Sequence, residues 1–293
     1  MEKNLDKLPD EELITRIREG DKNSLERIIE RYRNFIYNVS LKMTGNREDA
    51  ADITQEVLIK VVTKIDSFRE QSSFKTWLYK ISVNHILNFK KAELNRKYSF
   101  TGYGNTLDNA PDDEITASDS YYADKLVLVE ETKQTCMTGM LLCLDNKHRM
   151  VFILAELFGI NDKTGSQVME ISPENFRMIL SRAKRDLYSF IDEKCGLINT
   201  NNPCRCAKKT KSFIKAGFVN PASRLFTSNY IQTIEQAAEE KQRNMEDLLQ
   251  NEYRQLYLQH NYLEGPDFVQ SLNELLSSDK LNKLFNLKQN NKL

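Results

Sequence analysis

Residues that turn a chain sharply are scarce here: ten glycines and six prolines are spread over 293 residues. So few breakers leave little room for the tight hairpins of a strand-rich fold, and no convincing run of alternating apolar and polar residues occurs. No apolar run approaches the ~18 residues of a membrane span, and the N-terminus carries no signal-peptide core. A cytosolic protein without membrane insertion is therefore expected. In that reducing compartment the five cysteines are not expected to form a disulfide framework. The three histidines are scattered, and Gly102-Tyr-Gly104 is no phosphate loop, so an enzyme is not expected either. There is also no excess of charge, because 42 Lys and Arg balance 42 Asp and Glu. Evenly spread, that balance would argue against a nucleic-acid partner. It is not evenly spread. Residues 101–135 hold eight acids against Lys125 and Lys133, whereas residues 172–211 hold nine Lys or Arg against four acids.

What the chain does have is helical periodicity, and the expected fold class is all-α. Residues 10–43 read as two short helices, the second with Leu25, Ile28, Ile29, Tyr32, Phe35, Ile36 and Val39 at three-to-four spacing. Asn46 can cap a helix over 47–65 that opens with Glu48 and Asp49 at its positive end. Ser73 caps another helix running to about Lys91. Residues 101–120 are rich in Gly, Asn, Asp, Pro and Ser and read as a flexible acidic linker. Helical pattern resumes near Tyr122 and continues through Leu142. Three further helices follow, over about 146–158, 164–169 and 173–192.

Two neighbouring helices have faces of opposite sign. On the first, Ala50, Ile53, Val57, Val61 and Ile65 form the apolar face, while Asp49, Asp52 and Glu56 gather on another with Gln55 at its edge and Ile59 among them. An apolar side chain inside an acidic stripe suits a face that a partner covers; geometry alone fits a plain solvated stripe equally well. On the next helix Phe74, Leu78, Ile81, His85 and Phe89 are expected to be buried, with His85 a core histidine. Thr76, Lys80, Asn84 and Lys91 line another face, bordered by Trp77. Lysines neutralise phosphates, an amide bonds a base edge and an aromatic stacks on an unpaired base. A solvated face with Trp77 in the core accounts for the same pattern.

Ser172-Pro173 is a strong helix start. From there Phe176, Leu180, Ala183 and Leu187 form an apolar stripe opposite Arg177, Met178, Ser181, Arg182 and Arg185. A short helix and a tight turn precede it, which is the layout of a helix-turn-helix whose long helix enters a major groove. Arginine bonds guanine there and Met178 suits a thymine methyl. An ordinary basic amphipathic helix has the same stripe. Beyond it, Cys195, Cys204 and Cys206 lie within twelve residues and would supply most of a tetrahedral zinc site. The fourth ligand would come from Cys136, Cys143 or His148. Reduced thiols packing a loop are the other reading, and the adjacent lysines read as an extension of a phosphate-binding surface.

The wording of two segments carries a family resemblance. Asp49-Ala-Ala-Asp-Ile-Thr-Gln-Glu-Val, followed by Phe68-Arg-Glu-Gln-Ser-Ser-Phe-Lys-Thr-Trp-Leu-Tyr-Lys-Ile-Ser-Val-Asn84, closely resembles region 2 of sigma-70-family factors, and most of all the extracytoplasmic-function group. Leu144 to Ile191 resembles region 4, with Leu180-Ser-Arg-Ala-Lys-Arg-Asp-Leu187 close to its characteristic helix end. Asn88 stands where the family often has an acid, Lys90 and Lys91 where arginines are usual, and Thr164-Gly-Ser-Gln-Val-Met is less typical of region 4. The resemblance implies a promoter-specificity subunit that needs no cofactor. Asp49, Asp52, Gln55, Glu56 and Ile59 would bind core RNA polymerase. Arg69, Glu70, Gln71, Ser72, Ser73, Trp77, Lys80, Asn84 and Lys91 would take the melted −10 strand. Arg177, Met178, Ser181, Arg182 and Arg185 would read the −35 duplex. An anti-sigma factor is a further candidate partner, and a stand-alone helix-turn-helix regulator is the competing reading.

The expected organisation is region 2 over 10–98, a flexible acidic linker over 99–121, region 4 over 122–193, a basic cysteine-containing loop over 194–228 and a helical extension over 229–293. The extension carries leucines at helical intervals, and small sigma factors usually end before it. Whether it folds back on region 2 or region 4, or serves another protein, its sequence leaves open.

Overall fold

The computed structural model describes residues 5–89 and 98–223, together with Gly265, Pro266 and Phe268. Among these residues there is no strand, and the expected all-α class holds. Ten α-helices run in the order α1 Asp10–Arg18, α2 Lys22–Thr44, α3 Arg47–Lys64, α4 Phe74–Asn88, α5 Phe100–Asn109, α6 Lys125–Leu142, α7 Asn146–Phe152, α8 Asp162–Met169, α9 Pro173–Lys194 and α10 Cys206–Lys215. A π-turn, Ile153–Leu157, continues α7.

Local chemistry sets the helix ends. Asp21 accepts the Asn23 amide to start α2, which ends at Gly45 in the left-handed region (φ 67°), and Asn46 then accepts the Glu48 and Asp49 amides to start α3. Ser73 caps α4 through the Thr76 amide, and Ser172 caps α9 through the Asn175 amide with Pro173 in the first turn. α2 proves to be one long helix of 23 residues, because nothing between Asp21 and Gly45 breaks its pattern.

The N-terminal helices α1–α4 bury Leu13, Ile14, Leu25, Ile28, Ile36, Ile53, Phe74 and Val83 in one core. That core does not stop at α4. Met150, Val151, Ile153 and Leu154 of the α7 segment, Val168 and Met169 of α8 and Phe176 and Ile179 of α9 belong to the same cluster. The join includes an aromatic relay in which Phe35 stacks on Tyr79 at 3.9 Å and meets Phe158 edge-on at 4.9 Å. Arg149, 2% exposed, sits where two helices end. Its guanidinium donates to the carbonyls of Leu141, Leu142 and Leu144 at 2.8–3.0 Å and to that of Met43 at 2.6 Å. Carbonyls at a helix C-terminus lack intrahelical donors and carry the negative end of the dipole. One cation therefore satisfies the ends of α6 and α2 together and ties the N-terminal lobe to the C-terminal one.

A second core joins Leu107, Ile115, Leu128, Met140, Leu141, Ala183, Leu187, Phe190 and Phe213. This core takes in part of the segment expected as a flexible 99–121 linker. Ser99 accepts the Gly102 amide to cap α5, and Leu107 and Ile115 are 4% and 1% exposed. The acids of this segment are matched by lysines distant in sequence. Asp112 lies 3.0 Å from Lys209, Lys211 lies 3.1 Å from Asp113 and 3.0 Å from Asp119, and Asp108 lies 2.7 Å from Lys194. The Asp113 amide also donates to the Lys208 carbonyl at 2.8 Å. Lys208, Lys209 and Lys211 belong to α10 and Lys194 ends α9, so they clamp the segment instead of extending a phosphate-binding surface. Accordingly the expected 194–228 loop contains a helix. The helical extension lies outside the described residues apart from Gly265, Pro266 and Phe268. Phe268 is 5% exposed and packs 6.1 Å from the Tyr37 ring, while the Gly265 amide donates to Asn34 at 3.5 Å.

Candidate nucleic-acid and partner interfaces

The apolar face expected for α3 is buried throughout: Ala50, Ile53, Val57, Val61 and Ile65 are each at most 1% exposed. Asp52 and Glu56 are exposed on the other side, with Asp49 and Gln55 partly so. Ile59 differs from its expected place within the stripe, being half-buried against the edge of the core. His85 of α4 reaches across to this helix, with Nε2 2.9 Å from Glu56 Oε2 and Nδ1 against the Lys60 ammonium. Burial, and then Lys60, hold the imidazole below its usual pKa against the opposing pull of Glu56.

On α4 the buried set is Phe74, Leu78, Tyr79, Ser82, Val83 and Ile86. Ile81, His85 and Phe89, expected in the core, are only half-buried. The helix is covered by α3 on one side and by α8 on another, so its apolar residues divide between two contacts and a single stripe misjudges the face. Trp77 is partly buried, 5.4 Å from Phe74 and 5.5 Å from Phe68. The loop residues Arg69, Glu70, Gln71, Ser72 and Ser73 are exposed. Glu70 takes a positive φ of 56° and lies 3.5 Å from Arg18. Lys91 lies outside the described residues.

Lys80 and Asn84 do not face open solvent alone. Lys80 Nζ lies 2.7 Å from Glu170 Oε1, and Asn84 Nδ2 donates to Glu170 Oε2 at 3.3 Å. Glu170 follows α8 in the turn of the helix-turn-helix, and these two bonds, Lys80 first, hold its carboxyl below the usual range. A cleft of about 690 Å³ runs beside this contact, lined on one wall by Arg69, Ser72, Thr76, Trp77 and Lys80 and on the other by Lys163, Gln167 and Glu170. Sequence reasoning missed Glu170. It occupies the position after α8 where the backbone turns left-handed, at φ 55°, and where glycine is usual, and no motif in the sequence marks it.

On α9 the exposed set is as expected: Arg177, Met178, Ser181, Arg182 and Arg185 all face outward. Leu180 is half-buried, and Ile179 takes its place in the core. Arg177 is paired with Asp162 and lies 3.4 Å from Glu174, and Arg185 lies 2.8 Å from Asp186. Arg182 has no ion-pair partner among the described residues. The approach of α8 to α9 depends on Gly165, where an added Cβ would stand 2.4 Å from Phe176 Cζ.

For the cysteines the structure gives no metal geometry. Among the described residues no group of three or more His, Cys, Asp or Glu is placed to hold an ion. Cys136, Cys195 and Cys206 instead line a small cavity of about 20 Å³ with Met137, Met140 and Ile191. Burial pushes the Cys206 thiol up to about 12 and that of Cys143 to about 11.

Comparison with known proteins bears on residues already described. A family profile described as Sigma-70 region 2 matches residues 28–96, which contain α3 and α4. The chain is 27% identical over 190 residues to the ECF RNA polymerase sigma-E factor of Haemophilus influenzae, covering 61% of this chain and 93% of that one. It is 27% identical over 179 residues to the sigma-E factor of Escherichia coli, covering 61% and 92%. It is 28% identical over 141 residues to the ECF sigma factor SigW of Bacillus subtilis, covering 48% and 74%. A solved structure of CnrH in complex with the cytosolic domain of CnrY aligns with a TM-score of 0.46 and 16% identity, covering 63% of this chain and 97% of that one. The chain belongs to the extracytoplasmic-function group of the sigma-70 family and is an RNA polymerase sigma factor.

Proposed function

We propose that this sigma factor divides its work among three faces. Asp49, Asp52, Gln55 and Glu56, with Ile59 at the edge, bind core polymerase. Arg69 to Ser73, Trp77, Lys80, Asn84 and Lys91 hold the melted −10 strand. Arg177, Met178, Ser181, Arg182 and Arg185 read the −35 duplex. The observation that carries this reading is the pair of unlike faces on adjacent helices, acidic on α3 and cationic with amide and aromatic groups on α4. A polymerase surface and a DNA strand can thus be engaged side by side without sharing a residue. Phosphate contacts supply salt-dependent affinity, and each good base contact adds about 1–3 kcal/mol of discrimination.

The test is promoter-directed transcription with core polymerase, comparing the wild type with an Asp52→Lys, Glu56→Lys double variant. Both side chains are exposed, so the fold should survive, as circular dichroism would verify, while binding to core is lost. Unchanged core binding would remove this assignment of α3. If the wild type neither binds core nor directs transcription from any member of a promoter library, the chain acts instead as a helix-turn-helix regulator on duplex DNA.

A further inference from the structure

One face of α6 is polar where a core would be apolar. Glu131, Thr135, Thr138 and Leu142 recur at three-to-four spacing and so share that face, and all four line a cavity of about 1120 Å³. The space lies between the two cores, since Met43 of the first and Leu107 and Phe213 of the second also line it. It is large enough for a small organic molecule. Glu131 and Thr138 are 1% and 4% exposed. The Thr135 hydroxyl is buried with no hydrogen-bond partner among the described residues. Burying such a group unsatisfied costs stability, and packing does not require it, because valine has the same shape. Tyr98 and Phe218, 50% and 59% exposed, border the same cavity, so apolar surface is available to an occupant there.

The chemistry of the wall selects that occupant. Three carboxylates, Glu48, Asp49 and Glu131, line the cavity against the guanidiniums of Arg47 and Arg149. Arg149 is committed to four carbonyls of its own chain, which leaves the acids in excess. The ends of α2 and α10 border the cavity too, through Gly45 and Ala216, and a helix C-terminus carries negative potential. Aromatic rings strengthen the preference, because each attracts a cation over its face. We propose that this cavity is a binding site for an amphipathic organic cation, an amine carried on an aromatic or alkyl body. The ammonium donates to the Glu131 carboxylate and to the Thr135 hydroxyl oxygen, and the body lies along Phe213, Phe218 and Tyr98. Such a ligand touches both cores at once and binds the folded chain alone, so it stabilises the protein by mass action.

The test titrates the full-length protein with probes that share one fluorophore. Dansylcadaverine ends in an ammonium, dansyl-6-aminohexanoate ends in a carboxylate, and dansylamide has no charge. Emission should rise and saturate with dansylcadaverine, at an affinity about tenfold above that of the carboxylate probe, the equivalent of one charge-assisted hydrogen bond. The same probe should raise the melting temperature. Thr135→Val should keep or improve the stability of the protein without probe, yet weaken dansylcadaverine about threefold, the share of one neutral acceptor. Glu131→Gln should abolish the preference for the ammonium over the carboxylate. Glu131 is buried, so circular dichroism must first verify the helix content of that variant; if it is unfolded, Thr135→Val decides the matter. Emission that does not saturate, equal or tighter binding of the carboxylate probe, or unchanged dansylcadaverine affinity in Thr135→Val would overturn the proposal. Dansylamide bound as tightly as dansylcadaverine would do the same, since the cavity would then take any apolar body.

Discussion

Replacing Gly165 by alanine sets two effects of opposite sign against each other. On helix propensity alone, alanine within α8 should stabilise by about 1 kcal/mol. The space says otherwise. An added Cβ would lie 2.4 Å from Phe176 Cζ, 2.5 Å from Cε2 and 3.1 Å from Cε1. The ring cannot swing aside freely, because Phe176 is 1% exposed and enclosed by the core that both lobes share. Overpacking of this kind costs about 1–3 kcal/mol, and a methyl placed a full ångström inside contact distance belongs at the upper end. The expected net loss is about 1–2 kcal/mol, or a fall of a few degrees in melting temperature. Relief requires α8 and α9 to move apart, so duplex DNA binding should weaken more than stability alone explains. Urea unfolding followed by circular dichroism measures the first effect, and a gel-shift titration on a −35 duplex the second. A variant as stable as the wild type, or more so, would show that propensity outweighs the clash and that α8 and α9 do not need glycine at their contact.

Three further outcomes are expected. Arg182→Ala should weaken duplex binding more than Arg177→Ala, because Arg177 is held by Asp162 and Glu174 and part of any DNA contact it makes is offset by losing them; equal losses in a salt-dependent binding assay would count against this. Burial lowers Lys42 to about 7, so between pH 7 and about 10 the unfolded chain binds the proton more tightly than the folded one. Stability should then rise with pH across that window, by at most about 1.4 kcal/mol per unit, and the slope should vanish in Lys42→Met when the two are compared by urea melts at each pH. Arg149→Met should cost about 3 kcal/mol or more by leaving buried carbonyls without donors. It should also uncouple the lobes, so that Trp77 fluorescence and far-ultraviolet dichroism cease to report one transition; coincident transitions in that variant would show that the shared core alone couples them.

Much of this was legible in the residues. The caps at Asn46, Ser73 and Ser172 each satisfy amides nearby in sequence, and local chemistry of that kind is what a sequence displays directly. The outward set on α9 and the buried face of α3 likewise follow from single-sided periodicity. Where a helix is packed on two sides, as α4 is by α3 and α8, one stripe no longer describes it, and Ile81, His85 and Phe89 were placed too deep. The helix within 99–121 was hard to read from the sequence for a related reason. Phe100, Tyr103 and Leu107 have helical spacing, but Gly102 and Gly104 obscure it, and the acids that suggest a solvated linker are neutralised by Lys208, Lys209 and Lys211 a hundred residues away. Glu170 was invisible because its partner is Lys80, and no local rule connects two surface charges of opposite sign across that separation.

The groups of α3 and α4 are unevenly exposed, although Glu56 also meets His85. In one and the same arrangement Asp52 and Glu56 are exposed, while Lys80 and Asn84 are bonded to Glu170. On the proposed assignment the α3 face is thus exposed while two groups of the α4 face are engaged. The lobes are joined by more than that contact, since Phe35 meets Phe158 and Arg149 holds the Met43 carbonyl. Thermal opening should be rare, because it would expose apolar surface and leave a buried carbonyl without its donor. A partner that binds the separated lobes and not the joined ones shifts that balance by its differential affinity alone. Core polymerase meets this requirement if region 2 docks through α3 while region 4 is held elsewhere on the enzyme, for the spacing of two promoter elements along a duplex cannot be met by lobes whose DNA faces lie within hydrogen-bond reach of each other. On that footing the balanced net charge of the chain is no contradiction of DNA binding: Glu170 and the acids of 99–121 neutralise lysines within the molecule, while Lys75 of α4 stays exposed.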